Sequence, residues 1–244
     1  MSELKPVLED RYQRVKQQLR DAEKKCQYPE NSIVLLPVSK TFNIQAIEQA
    51  LNCGMSAFGE NYVQEACEKI DFFKQHYPDK KIEWHLIGPL QSNKTRPVAE
   101  RFDWVQTVDR LKIAERLSQQ RPENLPDLNV LIEVHVSDES TKSGVKPDEV
   151  RKLAREIQNL PRLKLRGLMA IPAPAQTEAE QLKPLKAMRQ LFDEMNQEGF
   201  NFDTLSMGMS GDLESAVKAG TTMVRIGSAI FGSRNYLKKD TKHE

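Results

Sequence analysis

The chain has 244 residues, of which 39% are hydrophobic, and its 36 basic residues nearly balance 35 acidic ones, giving a net charge of +1. This length fits one (β/α)8 barrel, typically about 250 residues, and the near-neutral charge leaves no electrostatic footprint for nucleic acid or an anionic membrane surface. No apolar run approaches the roughly 20 residues of a membrane span, and the first residues lack the apolar core of a signal peptide. We therefore expect a cytoplasmic protein. Its three cysteines lack metal-site spacing and are expected to be reduced, buried thiols.

One helix followed by eight strands is predicted in chain order. Residues 3–26 form the helix, because apolar residues recur there every three or four positions. Since this helix precedes the first strand, we expect it to lie as a lid across the bottom of the barrel. The strands are predicted at residues 33–38, 56–60, 81–88, 102–108, 128–136, 163–171, 202–207 and 222–226.

Helical patterns separate consecutive strands throughout the chain. Doubly wound sheets alternate in the same way, but eight regular units within this length favour closure. The expected fold is a single (β/α)8 TIM barrel that spans residues 1–244 with one preceding helix.

Several helix starts carry local signals. Asn43 is a good N-cap for the helix after the first strand, and Thr177 with Glu180 forms a capping box for a later one. Asp109 is expected to cap the helix after the fourth strand, and Pro147 to open the next helix at its first position. Residues 237–244 are expected to be frayed.

Lys40 comes directly after the first predicted strand. The stretch from Ile33 to Val38 is an unbroken apolar run, typical of a strand buried on both faces in a parallel sheet. A lysine at the carboxyl end of such a strand, just before a βα loop, lies where α/β barrels place their chemistry. The alternative is a solvated surface lysine, as most lysines are.

Two segments near the end of the chain each run from a strand into a helix. The first covers residues 205–212 and contains Met209 and Ser210; the second covers residues 223–232. Their small residues lie where amides at a helix N-terminus can bind an anion, and barrels often build a phosphate site from the loops after strands seven and eight. Alternatively, the glycines only allow tight turns.

A strand-end lysine that faces a phosphate site suggests a phosphorylated aldehyde held as a Schiff base, once burial or a neighbouring cation lowers the lysine pKa. Pyridoxal 5′-phosphate is the commonest such aldehyde. Arg225, two residues before Gly227, can then reach the pyridine nitrogen while Gly227 and Ser228 hold the phosphate. Because an arginine keeps its proton, the ring nitrogen stays unprotonated and the cofactor is a poor electron sink.

The sequence closely resembles the pyridoxal-phosphate homeostasis proteins (the YggS/PROSC family) over essentially the whole chain. The motifs that carry the resemblance are Pro37–Lys40, Phe58–Tyr62, Trp84–Lys94, Arg166–Met169 and the two C-terminal segments above. Two departures are slight: Leu86 stands where a phenylalanine is frequent, and Gly211 where an aspartate is frequent.

The resemblance implies a fold similar to the barrel domain of alanine racemases, with Lys40 as the Schiff-base lysine. It also implies that Arg225 faces the pyridine nitrogen and that Ser210, Gly227 and Ser228 bind the phosphate. Met209, next to Ser210, is expected to contact the cofactor as well. Racemases carry a second, β-rich domain that supplies an acid/base tyrosine across a dimer interface. This chain has no residues left for one, which argues against racemisation and for a monomer.

Three features stay open at this point. Asn61 lies at a strand end and could bind the ring hydroxyl, while His85 is a core histidine or a catalytic one. The polar loop at residues 137–146 is long for this fold and is therefore suspected to be functional. Within it, Lys142, Ser143 and Gly144 form either a mobile rim that closes on cofactor or a client protein, or a solvated loop.

Three functions fit these predictions. The first is a carrier that holds pyridoxal phosphate exchangeably and passes it to apoenzymes as transient clients. The second is a pyridoxal-phosphate enzyme that acts on an amino acid, as a racemase does. The third is a Schiff-base aldolase that uses the phosphate site for a sugar phosphate.

Overall fold

The computed structural model describes residues 4–136 and 143–232. Within these residues eight parallel strands form one sheet in the order β1-β8-β7-β6-β5-β4-β3-β2. The strands are β1 Val34–Pro37, β2 Ala57–Glu60, β3 Glu83–Leu86, β4 Trp104–Val108, β5 Leu128–Glu133, β6 Leu163–Met169, β7 Thr204–Ser206 and β8 Met223–Ile226. The helices are α1 Leu4–Lys25, α2 Ile44–Asn52, α3 Val63–His76, α4 Thr95–Arg101, α5 Leu111–Gln120, α6 Val150–Gln158, α7 Glu178–Gln197, α8 Leu213–Ala219 and α9 Ser228–Phe231.

The sheet closes between β1 and β2. Val38 forms a parallel bridge with Gly59, and the Ser39 amide donates to the Gly59 carbonyl oxygen over 2.9 Å. Closure excludes the doubly wound alternative and confirms the predicted (β/α)8 barrel. Each predicted strand is present, and each is shorter than predicted. The bridge recorded between β1 and β2 in the described part of the chain lies towards the carboxyl ends of these strands, two residues before Lys40.

Helix α1 does not lie across the bottom of the barrel, so that prediction was wrong. It contacts α2, α8 and α9 along the outside. Arg11 reaches the Phe231 carbonyl oxygen near the end of β8, and Glu23 accepts the Ile33 amide before the start of β1. The physical reason is that α9 has only four residues and cannot cover the sheet there. The apolar stripe of α1 fills that gap in the outer ring.

The predictions made from local signals at the helix starts were confirmed in part. Asn43 accepts the Ala46 amide over 3.0 Å, and Thr177 with Glu180 forms the complete capping box. Asp109 instead pairs with the neighbouring Arg110, which precedes α5 without a side-chain cap. Helix α6 begins at Val150 rather than Pro147. Residues 237–244 lie outside the described part of the chain.

The burial of the first strand and of the cysteines differs in part from the prediction. Val34 at the start of β1 is 50% exposed, so the first strand is covered on both faces only towards its carboxyl end. Of the three free cysteines, Cys67 is buried, whereas Cys26 and Cys53 are half-buried.

Candidate functional site

A cavity of about 600 Å³ opens among the loops that follow the strands. It brings together all seven residues that the sequence singled out: Lys40, Asn61, Met209, Ser210, Arg225, Gly227 and Ser228. Gly211 adds to the polar side of the cavity. The rest of the wall consists of residues that sequence reasoning missed, namely Val38, Phe42, Ile87, Ile171 and Gly232.

The missed residues are mostly apolar and form a hydrophobic wall. Phe42, two residues after Lys40, packs on Phe231 of α9 with ring centroids 5.0 Å apart. Its position two residues after Lys40 was a signal that could have identified it as a cavity residue. Ile87 and Ile171 each follow a strand end, so the rule that placed Lys40 at the site applies to them too.

Lys40 is half-buried beside the loop that follows β8. The Val38 amide donates to the Ile226 carbonyl oxygen over 2.8 Å, which aligns the ends of β1 and β8. A methyl group on Gly227 would lie 3.4 Å from Val38, so the two chain segments are in van der Waals contact. Thr41 has a φ of +69°, an uncommon left-handed conformation for a β-branched residue. The chain therefore turns sharply immediately after Lys40.

A buried ammonium holds the residue before Lys40. Lys69 of α3 is 4% exposed, and its Nζ lies 3.0 Å from the Ser39 carbonyl oxygen. The same Nζ is 2.8 Å from Glu60 Oε1 and 2.6 Å from Glu65 Oε1. All three of its donors therefore have acceptors.

The two carboxylates of this cluster also bind the backbone turn. Glu65 Oε1 accepts the Thr41 amide over 2.6 Å, and the Ser39 hydroxyl donates to Glu60 Oε1 over 2.6 Å. The backbone on both sides of Lys40 is thus fixed by α3. Burial raises the pKa of Glu60, although Lys69 and the Ser39 hydroxyl act to lower that pKa.

Arg225 is 3% exposed and reaches into the cavity. One Nη donates to Ser206 Oγ over 2.7 Å and the other to the Ala170 carbonyl oxygen over 2.9 Å. Burial lowers its pKa to about 10, against the opposing effect of the negative charges of Asp212 and Glu133. With that pKa only about one guanidinium in a thousand is neutral at pH 7. Since a guanidinium has five donors, donors remain for a ligand.

Asn61 lines the cavity and carries an unsatisfied acceptor. Its Oδ1 is buried and has no hydrogen-bond partner among the described residues, a state that usually points to an absent ligand or water. Gly88 fixes its position, because a methyl group on Gly88 would lie 2.2 Å from the Asn61 carbonyl oxygen. The Asn61 amide oxygen therefore suits a hydroxyl donor on a bound molecule.

The loops after β7 and β8 lie side by side. The Arg225 amide donates to the Gly208 carbonyl oxygen over 2.9 Å, and Asp212 Oδ1 accepts the Met209 amide over 2.6 Å. Since the Met209 amide is already bonded, Met209 can contribute its 40% exposed side chain to a ligand, but not a free amide. The exposed Ser210 and Ser228 place a hydroxyl on each loop.

His85 lies outside the cavity wall, in the barrel core. It is 1% exposed and stacks on Trp104 with centroids 5.1 Å apart. Its Nε2 lies 2.8 Å from Glu83 Oε1, and its Nδ1 lies 3.0 Å from Gln106 Nε2. Both ring nitrogens therefore have partners, as expected for a core histidine rather than one that contacts substrate.

The loop after β5 is only partly described. Residues 137–142, including Lys142, lie outside the described part. The Ser143 hydroxyl donates to Glu133 Oε1 over 2.8 Å, and Val145 forms a parallel bridge with Val134. Val145 at this end of the loop is therefore packed against the strand end, whereas Ser143 remains exposed.

The described residues contain neither a membrane-spanning helix nor a cluster of metal ligands. None of the helices there combines the length and the apolar character that crossing a lipid bilayer requires. No group of three or more histidine, cysteine, aspartate or glutamate side chains in the same residues could hold a metal ion.

The fold and site define a class of barrel in which a strand-end lysine faces two loops rich in small residues. Residues 11–235 match the family model described as alanine racemase, N-terminal domain. Pyridoxal phosphate homeostasis proteins are similar over nearly their whole length. That of Haemophilus influenzae is 54% identical, covering 93% of this chain and 96% of the relative; that of Escherichia coli K12 is 51% identical, covering 92% and 96%. The chain belongs to the alanine racemase N-terminal domain family, and within it to the pyridoxal phosphate homeostasis proteins.

Solved structures agree with this assignment. A protein of unknown function from Bifidobacterium adolescentis has a TM-score of 0.88 at 31% identity, covering 95% of this chain and 97% of its own. PipY of Synechococcus elongatus, solved with pyridoxal phosphate bound, has a TM-score of 0.76 at 34% identity, covering 87% and 98%. An alanine racemase from Clostridium difficile shares the fold alone, with a TM-score of 0.70 at 14% identity.

Proposed function

We propose that this protein binds pyridoxal 5′-phosphate as a Schiff base on Lys40 and releases it again. It thereby serves intracellular pyridoxal phosphate (vitamin B6) and amino-acid homeostasis, without strong catalytic activity. The observation that carries the proposal is that Lys40, Arg225 and the serines of the loops after β7 and β8 line one cavity. The names of the relatives and the pyridoxal phosphate bound in PipY support it.

The side chains in the cavity fit this cofactor group by group. The hydroxyls of Ser210 and Ser228, together with Gly227, suit a phosphate, and the Oδ1 of Asn61 suits the ring hydroxyl as acceptor. Arg225 would face the ring nitrogen with a donor, and Met209 would contact the ring through its apolar side chain. The wall formed by Val38, Phe42, Ile87 and Ile171 suits the flat ring and excludes water.

Bound pyridoxal phosphate supplies an aldehyde that bonds an amine and a ring that can accept electrons. Arg225 limits the second property. It stays protonated at neutral pH and therefore donates to the ring nitrogen instead of giving up a proton to it. The chain's own contribution is to hold, orient and shield the group.

The alternative function is an enzyme that acts on an amino acid, favoured by the barrel that this chain shares with alanine racemase. Such chemistry needs an acid or base opposite the lysine. Among the described residues that line the cavity there is no tyrosine, histidine, cysteine or carboxylate. We therefore favour the carrier.

Purified protein titrated with pyridoxal phosphate should develop a visible band, and the cofactor should then pass to an apoenzyme whose activity it restores. A Schiff-base aldolase would instead cleave a sugar phosphate without any such band. Incubation with single L-amino acids in deuterated water separates the carrier from the amino-acid enzyme. Exchange of the α-proton at about 1 per second or faster, the ordinary enzyme range, would establish the enzyme instead.

Three further points belong to the same proposal. The clients are apoenzymes that require pyridoxal phosphate and bind only transiently, and the protein acts as a monomer formed by one domain. We place it in the cytoplasm, because its three cysteines are free thiols of the kind that a reducing compartment maintains.

A further inference from the structure

A continuous line of hydrogen bonds crosses the interior of the barrel. An Arg225 Nη donates to Ser206 Oγ over 2.7 Å, and the Ser206 hydroxyl donates to Gln106 Oε1 over 2.7 Å. Gln106 Nε2 lies 3.0 Å from His85 Nδ1, and His85 Nε2 lies 2.8 Å from Glu83 Oε1. The line therefore joins strands β8, β7, β4 and β3, and ends on a carboxylate at the opposite end of the barrel.

All the bonds in this line point the same way. Arginine can only donate, so Ser206 must accept a hydrogen bond from it and donate its own hydroxyl hydrogen to Gln106. Because the Gln106 Oε1 accepts this hydrogen bond, the Gln106 Nε2 donates a hydrogen bond to His85 Nδ1. His85 then carries its hydrogen on Nε2 and donates to the Glu83 carboxylate. Each member thus fixes the orientation of the next.

Because the side chains between Arg225 and Glu83 are buried, this order of donors and acceptors is fixed. Ser206 and Gln106 are both 0% exposed, and His85 is 1% exposed. Water has no access to replace a lost partner, so an unpaired group would have to turn or displace its neighbours. The second amide hydrogen of Gln106 is directed at Met223 Sδ, 3.3 Å away, which leaves this side chain no idle donor.

We infer that Ser206 and Gln106 are positioning residues that hold the Arg225 guanidinium towards the ring nitrogen of the bound cofactor. The inference rests on the proposed function. Among the described residues, the Arg225 guanidinium has one other hydrogen-bond partner, the Ala170 carbonyl oxygen. Because Gln106 accepts the Ser206 hydroxyl hydrogen, that hydrogen points away from Arg225 and a lone pair of Ser206 Oγ is held towards the guanidinium. Gln106 therefore acts on Arg225 without touching it or the cofactor.

The test compares pyridoxal phosphate with an analogue in which a C–H group replaces the ring nitrogen. Wild-type protein should bind the natural compound more tightly, because only it can accept from Arg225. One hydrogen bond to a charged donor is worth a factor of about 10 to 150 in affinity. Arg225→Gln sets the other limit, since it removes the guanidinium and should abolish most of this preference.

Gln106→Met keeps the length of the side chain but removes both polar groups. It should bind pyridoxal phosphate less tightly, leave the affinity for the analogue nearly unchanged, and so reduce the preference at least threefold. Ser206→Ala, a smaller change that needs no repacking, should reduce the preference further. Ser118→Ala is the matched control, because it removes a buried hydroxyl that donates only to the Pro161 carbonyl oxygen on the outer ring.

If Gln106 and Ser206 had a purely structural role, each variant would bind pyridoxal phosphate and the analogue less tightly by the same factor. The preference for pyridoxal phosphate would then keep its wild-type value, which would overturn the inference. Borohydride reduction of each variant separates this failure from that of the proposed function. If wild-type protein forms no covalent bond at Lys40, or shows no preference for the ring nitrogen, the proposed function or the role of Arg225 fails, and the inference fails with it.

Discussion

Lys69 Nζ lies 3.0 Å from the carbonyl oxygen of Ser39, the residue that immediately precedes Lys40. An ammonium buried under a strand end, and shared between two carboxylates, is a costly arrangement unless every donor is satisfied. Here all three donors are satisfied, and the bonds at the Ser39 carbonyl oxygen and the Thr41 amide fix the backbone on both sides of Lys40. Lys40 thus projects from a rigid turn rather than a mobile loop.

Lys69→Met should strongly destabilise the fold, because it leaves the Glu60 carboxylate buried without its counter-ion. Removing one partner of a buried pair costs about 3–5 kcal/mol, measurable as a lower urea midpoint. Lys74→Met, on the exposed face of the same helix, is the control and should change stability by less than about 0.5 kcal/mol. Unfolding of Lys69→Met at the wild-type midpoint would show that the cluster does not hold the turn.

Ser210→Ala and Ser228→Ala should each weaken binding of pyridoxal phosphate by about 0.5–1.5 kcal/mol, or up to about 3 because the phosphate is charged. Pyridoxal without the phosphate should bind far more weakly to wild-type protein, and both variants should bind pyridoxal as wild type does. Titration of the visible band gives each affinity. Equal affinity of wild-type protein for pyridoxal and its phosphate would refute the phosphate site.

Gly88→Ala should displace the chain segment that carries Asn61, since the added methyl group would lie 2.2 Å from the Asn61 carbonyl oxygen. Overpacking of this kind typically costs about 1–3 kcal/mol and should also impair cofactor binding. Gly211→Ala is the matched control in the same cavity wall, where nothing lies within 4 Å of the added group. A Gly88→Ala protein as stable and as tightly binding as Gly211→Ala would contradict this packing.

Glu133→Gln should alter the pH dependence of stability. Burial raises the pKa of Glu133, against the Ser143 hydrogen bond and the charges of Arg225 and His135. A raised pKa means that its contribution to stability is present below the unfolded-state pKa, about 4.3, and is lost as pH rises through the folded-state pKa. The variant should therefore have the higher melting temperature at pH 7, and the gap should close towards pH 4.

Glu178 serves as the control, because its contribution to stability is expected to change with pH in the opposite direction. A hydrogen bond from Lys218 lowers the pKa of this exposed carboxyl, so its contribution is present above the unfolded-state pKa and is lost at lower pH. Glu178→Gln should be slightly less stable than wild type at pH 7 and equal to it in acid. If Glu133→Gln behaves in this way too, burial does not dominate at Glu133.

Local signals in the sequence were sufficient for much of the fold and for the polar groups of the cavity. Strand-end placement identified Lys40, and the helix caps at Asn43 and Thr177 follow from side-chain chemistry within three residues. The two loops rich in small residues stand where barrels place a phosphate site. Each of these features depends on neighbours in the sequence or on the repeat of the barrel.

What the sequence did not reveal depends on which side chains meet across the barrel. Gln106 and Ser206 are 100 positions apart and meet only because β4 and β7 face each other in the interior. Lys69 is a charged residue on the buried face of α3, and only the folded structure shows that its ammonium lies beneath Ser39. The position of α1 was missed because it depends on the shortness of α9.

The central claim is that Lys40 bonds the cofactor covalently. Protein loaded with pyridoxal phosphate, reduced with borohydride and digested should carry the label on the peptide that contains Lys40. Lys40→Ala should show no visible band under the same loading, yet should retain the folded state, since a side chain at the cavity wall contributes little to the core. Label found mainly on another lysine, or a normal band in Lys40→Ala, would contradict the account.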